Sequence, residues 1–572
     1  MNTGRFLLAV ILAMAVVLLT NLLFPPPKPA VPPATGADTT VVQAAPGTTA
    51  VRATPDTAPP TAVPGAQGTT QVPGAQRVAG TGEAAPADTL SADTVHIASD
   101  LVRLGITTRG AGVASVVLSK FKSYTHPGAV ELVGAQEPPL VRYRLRLGDQ
   151  VLDLGTLLFT ASADSVNVSG EPQNVTLRDQ EPSGAYGIEI RYHFDPDRDV
   201  VRVDGQVTGL SALSPTLLLD LGPTLAINEA DSAEDERALG YVVDSRKAGI
   251  SSVPLAKVDA ERVEEGPLSW VALKNKYFLA AALAEAPGGG DGAFGGLIAR
   301  PLPAKNAAAL AATLPVNRDG QFAFQLFLGP QDYGRLAAVG RDLQDVNPYG
   351  WHFLRPIIRP LAHFIIWLLT TLHGVLSIGY GWVLILFGML VQIILWPLNV
   401  RAMRSQMKTM ELQPRIKEIQ DKYKQDPEKL QKEMMRLYRE EGFNPLGGCL
   451  PMLIPWPVLI TLFFVFQNTI EFRGVSFLWL PDLSRPDPLF ILPVVLGASI
   501  FVMQWMSMRT APQQGGQMKF MMYFMPVMMV VIFFRLAAGL NLYYAASNLA
   551  SIPRQVMLVR ERMRVRSRMD KK

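Results

Sequence analysis

The sequence predicts a polytopic α-helical membrane protein with six transmembrane helices, an all-β sandwich domain outside the cytoplasm and a cytoplasmic helical hairpin. Hydrophobic residues make up 48% of the 572-residue chain, and the mean hydropathy is +0.18, which is high for a soluble protein. One long apolar segment lies at the N-terminus and five follow residue 377. Between them, short runs alternate apolar and polar residues, which is typical of strands.

The first apolar segment, within residues 1–24, is predicted to be an uncleaved transmembrane anchor. Its apolar core runs from Phe6 to Phe24 and meets a run of prolines instead of a small-x-small cleavage site. A secretory signal peptide is the alternative. Residues 25–92 are rich in Pro, Ala, Thr and Gly, so we expect a disordered linker there.

Residues 93–345 are predicted to form an antiparallel β-sandwich, because short alternating runs are bounded by Gly, Pro, Asp and Asn without interleaved helical patterns. Residues 346–377 mix apolar side chains with Arg355 and Arg359, and Pro356 and Pro360 lie beside these arginines. A spanning segment rarely carries such a combination, so this stretch is predicted to be an interfacial helix.

The region 378–558 is predicted to hold five spans. None contains Asp, Glu, Lys or Arg apart from Arg554 near the end of the last. The absence of other ionisable groups argues against the main alternative, an ion-coupled transporter or channel. The predicted spans are residues 378–398, 446–470, 488–506, 520–534 and 537–558.

Basic residues predict the orientation, because lysine and arginine near span ends stay in the cytoplasm. Residues 401–442 carry eleven of them and form a predicted hairpin of two amphipathic helices, with Asp426 and Pro427 starting the second. The hairpin could be a spacer or a docking surface. Residues 559–572 form a basic cytoplasmic tail. Both termini are therefore predicted inside, with residues from about 25 to 377 outside.

Several motifs resemble the YidC-type membrane protein insertases of the Oxa superfamily, in the Gram-negative form with a large periplasmic domain. The resemblance extends over nearly all of the chain beyond the linker. The motifs that carry it are residues 444–451 (NPLGGCLP), 412–416 (LQPRI), 487–493 (DPLFILP), 524–527 (FMPV), 539–544 (GLNLYY), 547–549 (SNL) and 275–278 (NKYF).

This resemblance implies an insertase and chaperone of the inner membrane that needs no cofactor and is not an enzyme. The family holds a hydrophilic groove, open to cytoplasm and lipid, that shortens the unfavourable path of polar residues across the bilayer. It also implies nascent membrane proteins as clients, with the Sec translocon, the ribosome and membrane lipids as partners. A membrane-tethered ligand-binding module is a further alternative.

The resemblance places Gln392 where the family usually has a groove arginine, and Gly388 where a family threonine stands. Gln392 offers donors and an acceptor but no fixed charge, and an interhelical hydrogen bond that only packs the helices is the alternative. Tyr543, Tyr544 and Asn541 are expected to line the same groove, with a core packing role as the alternative.

Two further surfaces are predicted to contact partners. The flexible side chains of Met521, Met525 and Met528 could accept varied apolar clients, although ordinary core filling explains them as well. Basic residues near the C-terminus could contact ribosomal RNA or anionic lipid. These are Arg560, Arg562, Arg564, Arg566 and Arg568.

Other chemistry is excluded or disfavoured by composition. Cys449 is the only cysteine, which excludes an internal disulfide and a thiol-based zinc site. No carboxylate or thiol is seen beside His352 and His363, so no metal is expected there. No phosphate-binding loop or hydrolase motif occurs.

Overall fold

The computed structural model describes residues 93–134, 137–180, 184, 186–210, 214–347, 349, 354–423, 425–441, 455–508 and 516–569. The predicted anchor and linker, the motif at residues 444–451 and His352 lie outside the described residues. A β domain occupies the first part of this region, and a helical domain follows it.

Short strands with alternating buried and exposed residues build the β domain, as in β10, where every second residue is buried. The strands are β1 Thr94–Ala98, β2 Val102–Thr107, β3 Val113–Lys122, β4 Ala129–Glu131, β5 Val141–Leu147, β6 Gln150–Asp153, β7 Thr160–Ala161, β8 Ser165–Asn167, β9 Gln173–Gln180, β10 Gly187–Phe194, β11 Val200–Thr208, β12 Thr216–Leu221, β13 Gly240–Ser245, β14 Gly249–Pro254, β15 Arg262–Lys274, β16 Phe278–Glu285, β17 Phe294–Pro301, β18 Ala308–Pro315 and β19 Gln321–Pro330.

These strands pair in two layers. One layer has the order β7-β9-β10-β11-β19-β16-β15-β13-β14. The other has the order β17-β18-β12-β5-β3-β2-β1-β8, in which only the β1–β8 pairing is parallel, and the short strands β4 and β6 pair with β3 and β5. The layers pack face to face where the buried hydroxyls of Tyr143 and Tyr192 lie 2.7 Å apart.

Strand β15 belongs to both layers, because its first half pairs with β17 and its second half with β13 and β16. A register shift between Glu265 and Leu268 separates the halves. Next to it, every residue of β16 is buried. The main core covers one side of β16, and a second cluster that includes Trp270, Leu336 and Val346 covers the other.

The helices lie mostly after the strands. They are α1 Ser232–Ala238, α2 Tyr333–Val339, α3 Arg355–Leu376, α4 Tyr380–Ile394, α5 Trp396–Lys422, α6 Pro427–Glu440, α7 Pro455–Asn468, α8 Ile491–Met508, α9 Gly516–Phe533 and α10 Ala538–Met569.

The helix bounds differ from the predicted spans by a few residues at α8 and α9 and more clearly at two other places. The span predicted for residues 378–398 is interrupted at Leu395, the C-cap of α4, and α5 starts at Trp396 with Pro397 in its first turn. At the other end of the chain, α10 continues through Pro553 into the basic tail and does not end at Leu558. Local hydropathy shows neither boundary, since the apolar sequence continues across Leu395 and helical hydrogen bonding continues beyond the apolar residues of α10.

One helix among the described residues is long and apolar enough to cross a membrane by length and composition. It is α3, the helix predicted to lie in the interface. Shorter apolar helices coincide with the predicted spans at Tyr380–Ile394, Pro457–Asn468, Ile491–Met506 and Tyr523–Phe533. The six-span count therefore stays a prediction, and so does the interfacial position of α3.

Candidate functional site

Helices α4 and α10 approach each other closely at Gly388. A Cβ atom at this position would lie 3.1 Å from the carbonyl oxygen of Tyr543 and 3.2 Å from the amide nitrogen of Ser547. Both distances are tighter than most Cβ contacts, so the absence of a side chain allows the two backbones to meet without a shift. The predicted site residues on α4 and α10 are thereby brought together.

One turn further along α4, Gln392 joins the same contact. Its Nε2 donates a hydrogen bond of 2.8 Å to Oγ of Ser547, and both residues are at least half-buried. An interhelical hydrogen bond of this kind is what the alternative role of Gln392, packing the helices, requires. It also places a neutral amide, with its second N–H and its carbonyl oxygen, beside α10.

Helix α10 carries a polar row at intervals of three or four residues, which places its members along one side of the helix. Two members have buried polar atoms without a hydrogen-bond partner among the described residues. Asn541 is 0% exposed and donates from Nδ2 to the carbonyl oxygen of Phe533 at 3.1 Å, whereas its Oδ1 has no partner. The Tyr544 hydroxyl has none either. The polar row consists of Asn541, Tyr544, Ser547, Ser551 and Gln555.

The far end of the polar row faces α8. The Ser551 hydroxyl lies 3.3 Å from Sδ of Met503, and Gln555 Nε2 donates to the Met503 carbonyl oxygen at 3.4 Å. Ser551 and Gln555 were not among the predicted site residues. The signal was available, because a polar residue every three or four positions from Asn541 onward in an otherwise apolar helix is unusual.

Tyr543 lies in the helical core. It is buried, and its ring centroid is 5.5 Å from that of Phe387 and 5.1 Å from that of Tyr544. Tyr543 therefore packs between the helices, as its alternative interpretation states, and Tyr544 lies next to it with more exposure.

The remaining predicted contact residues lie on α9 and at the end of α10. Met525 and Met528 are half-buried, whereas the side chain of Met521 is not among those that the structure describes. Arg560 and Arg564 are exposed, and Arg564 lies 3.4 Å from Glu561. The side chains of Arg562, Arg566 and Arg568 are not among those described.

The expectation that no carboxylate lies beside His363 was wrong. His363 Nε2 lies 2.9 Å from Oδ1 of Asp345, and Arg359 contacts the same carboxylate. Asp345 sits in a short turn that folds back onto α3, a contact that sequence spacing does not reveal. In the described part of the chain, no three His, Cys, Asp or Glu side chains are grouped to hold a metal.

Comparison with known proteins agrees with a β domain followed by apolar helices. The family described as "60Kd inner membrane protein" matches residues 371–566, and the family described as "YidC periplasmic domain" matches residues 94–367. Together these matches define a class, the inner-membrane proteins with a large periplasmic domain.

Individual relatives narrow the class to a family. The "Membrane protein insertase YidC" of Chlorobaculum tepidum is 30% identical over 507 residues, 84% of each chain. That of Chlorobium phaeovibrioides is 31% identical over 511 residues, 83% of this chain and 84% of its own. The chain therefore belongs to the YidC family of membrane protein insertases and is a membrane protein.

A solved structure, "Active YidC insertase crystal structure with the first transmembrane domain resolved", covers 81% of this chain and 92% of its own at 18% identity and a TM-score of 0.31. The family assignment rests on the sequence relatives. They favour an insertase over the transporter or channel alternative.

Proposed function

We propose that this chain inserts, folds and assembles client membrane proteins through a groove formed by the polar row of α10 and by Gln392 of α4. The unsatisfied Oδ1 of Asn541 and the Tyr544 hydroxyl carry the proposal, because an apolar bundle gains nothing from polar atoms without partners. A client's polar side chain would hydrogen-bond to such atoms where α10 and its neighbours part to admit it. The membrane-tethered binding module predicted as an alternative has no comparable support.

The energetic role of this groove follows from the cost of polar residues in lipid. A charged side chain at the bilayer centre costs roughly 2.5–3.5 kcal/mol on insertion scales. Hydrogen bonds from Gln392 and the polar row offset part of that cost. The apolar side chains of the arriving segment then favour its release into lipid.

The proposed topology has six spans, with the β domain in the periplasm and both termini in the cytoplasm. Residues 401–442 would form the cytoplasmic hairpin. Its helices α5 and α6 contact each other, and Arg415 lies 2.5 Å from Glu441 across the pair. Exposed apolar side chains on the helices, such as those of Ile393, Val531 and Leu549, suit contact with lipid.

Clients are proposed to be nascent membrane proteins, received alone or together with the Sec translocon. The hairpin and the basic tail are the surfaces proposed for contact with the ribosome. Attraction of Arg560 and Arg564 to anionic lipid is the alternative for the tail, at about 1 kcal/mol per basic residue near the surface.

Site-specific photocrosslinking tests the groove. A photoreactive residue at Gln392 or Tyr544 should crosslink to a stalled nascent membrane protein. The matched control position is Leu549, which lies on α10 like Tyr544 but is 57% exposed. Efficient crosslinking from Leu549 with none from Gln392 or Tyr544 would refute the groove.

A further inference from the structure

A buried arginine joins the loop between α7 and α8, residues 469–490, to the β domain. The Arg473 side chain is 4% exposed, and its Nε lies 2.7 Å from Oε1 of Glu229, whose side chain is 8% exposed. A second guanidinium nitrogen donates to the carbonyl oxygen of Lys122 at 2.8 Å. Since both charges are out of water, each depends on the other.

Aromatic rings complete the surroundings of this arginine. Its guanidinium carbon is 4.6 Å from the ring centroid of Tyr124 and 5.4 Å from that of Phe278, distances at which a cation is attracted to a ring. The Tyr124 hydroxyl also donates to Oδ2 of Asp482 at 2.8 Å. The β domain therefore holds the α7–α8 loop at two points, Arg473 and Asp482.

The same loop binds the start of α10. The amide of Ala538 donates to the carbonyl oxygen of Arg485 at 2.7 Å, and that of Gly539 donates to the carbonyl oxygen of Leu483 at 2.8 Å. The first amides of a helix have no acceptor within the helix, so these carbonyl groups satisfy them. The β domain is thus connected through the loop to the helix that carries the polar row.

We propose that Arg473 is a positioning residue of the insertase. By joining the loop to Glu229, it fixes the first turn of α10 and keeps the polar row aligned with Gln392. Ser547, which accepts the hydrogen bond from Gln392, lies within three turns of Ala538, so a displaced helix start also moves this contact. The effect on insertion rests on the proposed groove. The contacts from Glu229 through the loop to α10 do not depend on it.

Hydrogen exchange of the full-length protein in lipid nanodiscs measures the link directly. In Arg473→Met, the amides of Ala538 and Gly539 should exchange about tenfold faster, because the carbonyl groups that hold them become mobile. The amides of β16 should keep their protection. Insertion of a single-span client should fall by about fivefold, and Arg473→Lys, which retains the charge opposite Glu229, should recover part of both losses.

The matched control is Arg300→Met. Arg300 also pairs with a glutamate, Glu261, at 2.7 Å, but both side chains are at least half exposed. Its loss should change neither the exchange of Ala538 nor insertion, because exposed pairs contribute little.

The outcomes separate the two claims. If Arg473→Met folds and leaves the exchange of Ala538 and Gly539 unchanged, the positioning role is refuted. If exchange accelerates but the parent protein forms no client crosslink from Gln392, the groove fails and the link stands. If Arg473→Met does not fold, Arg473→Lys takes its place, since an ammonium retains the charge opposite Glu229 but cannot bridge Glu229 and the Lys122 carbonyl oxygen as the guanidinium does. Unchanged exchange and insertion in that variant would also refute the role.

Discussion

Gly388 sets the distance between α4 and α10, so a side chain there should separate them. Gly388→Ala would place a Cβ 3.1 Å from the backbone of Tyr543. We expect a loss of about 1–3 kcal/mol in the free energy of unfolding, as for other overpacked contacts. Thermal unfolding in detergent measures it.

Gly374 supplies the control for this substitution. It lies in α3, and a Cβ there would have nothing within 4 Å. Gly374→Ala should be neutral or slightly stabilising, because alanine favours helix over glycine. Equal effects of the two substitutions would contradict the close approach at Gly388.

Substitution of Gln392 distinguishes a role in helix packing from a role in client contact. Gln392→Leu removes the hydrogen bond to Ser547, and such bonds in membranes contribute about 0.6 kcal/mol on average, so stability should hardly change. Insertion of a client with a polar residue in its span should nevertheless slow down, whereas a wholly apolar client should insert as before. Paired insertion assays measure the difference. If Gln392→Leu inserts both clients like the parent, Gln392 only packs the helices.

Part of the contact between α4 and α10 could be predicted from the sequence, and the groove role of its residues stays a prediction. Gly388, Gln392, Tyr543 and Asn541 were expected in one groove through the resemblance. The structure brings Gly388 against Tyr543 and Gln392 against Ser547, whereas Asn541 donates a hydrogen bond to Phe533 of α9. The bond between Gln392 and Ser547 joins positions 155 residues apart. Such a partner depends on how two helices pack, and periodicity within one helix does not contain it.

At the scale of elements, the junction between α7 and α2 carries a carboxyl group sensitive to pH. Burial, with a smaller contribution from nearby Asp332, raises the pKa of Glu471 to about 7. The folded protein therefore retains this proton more strongly than the unfolded chain, in which the pKa is near 4.5. Stability due to Glu471 is full below about pH 4.5 and declines as the pH rises towards 7.

Glu471→Gln should remove this dependence, because glutamine stays neutral. The variant should unfold at about the parent's temperature at pH 4.5 and at a higher temperature at pH 8, as measured by thermal unfolding in the same detergent. A difference that is constant with pH, or that favours the parent at pH 8, would show that Glu471 is not buried as a neutral acid.

The start of α6 is fixed by a side chain. Asp426 Oδ1 accepts a hydrogen bond of 3.1 Å from the amide of Lys429, as an N-cap does. Asp426→Ala should accelerate hydrogen exchange in the first turn of α6. Glu418→Ala, an exposed change within α5, should leave that turn unaffected. Unchanged exchange in both variants would mean that the cap does not hold the helix.

Element types were predicted more completely than their arrangement. Alternation placed strands at β10 and β11, and Asp426 with Pro427 predicted the start of α6. The division of β15 between two layers was not predicted, because each half has its own pairing partners far along the sequence. The break at Leu395 was also missed, since hydropathy continues across it.

At the scale of the whole molecule, the β domain, the α7–α8 loop and α10 form one connected path. Glu229 holds Arg473 at one end, and the carbonyl groups of Leu483 and Arg485 hold the start of α10 at the other. The large β domain is therefore proposed to position α10 through the α7–α8 loop. It fixes one end of the helix along which clients are proposed to pass.

Blocking the groove in a reconstituted system tests the central claim most directly. In a Cys449→Ser background, Gln392→Cys or Leu549→Cys is modified with a bulky maleimide, and insertion of a single-span client into proteoliposomes is measured. We expect a rate about tenfold lower after modification at position 392, because the bulky group occupies the space beside α10 that the client would use; this factor corresponds to about 1.4 kcal/mol of activation free energy. Modification at position 549 should leave the rate unchanged. Equal insertion by the modified and unmodified forms at position 392 would contradict the account.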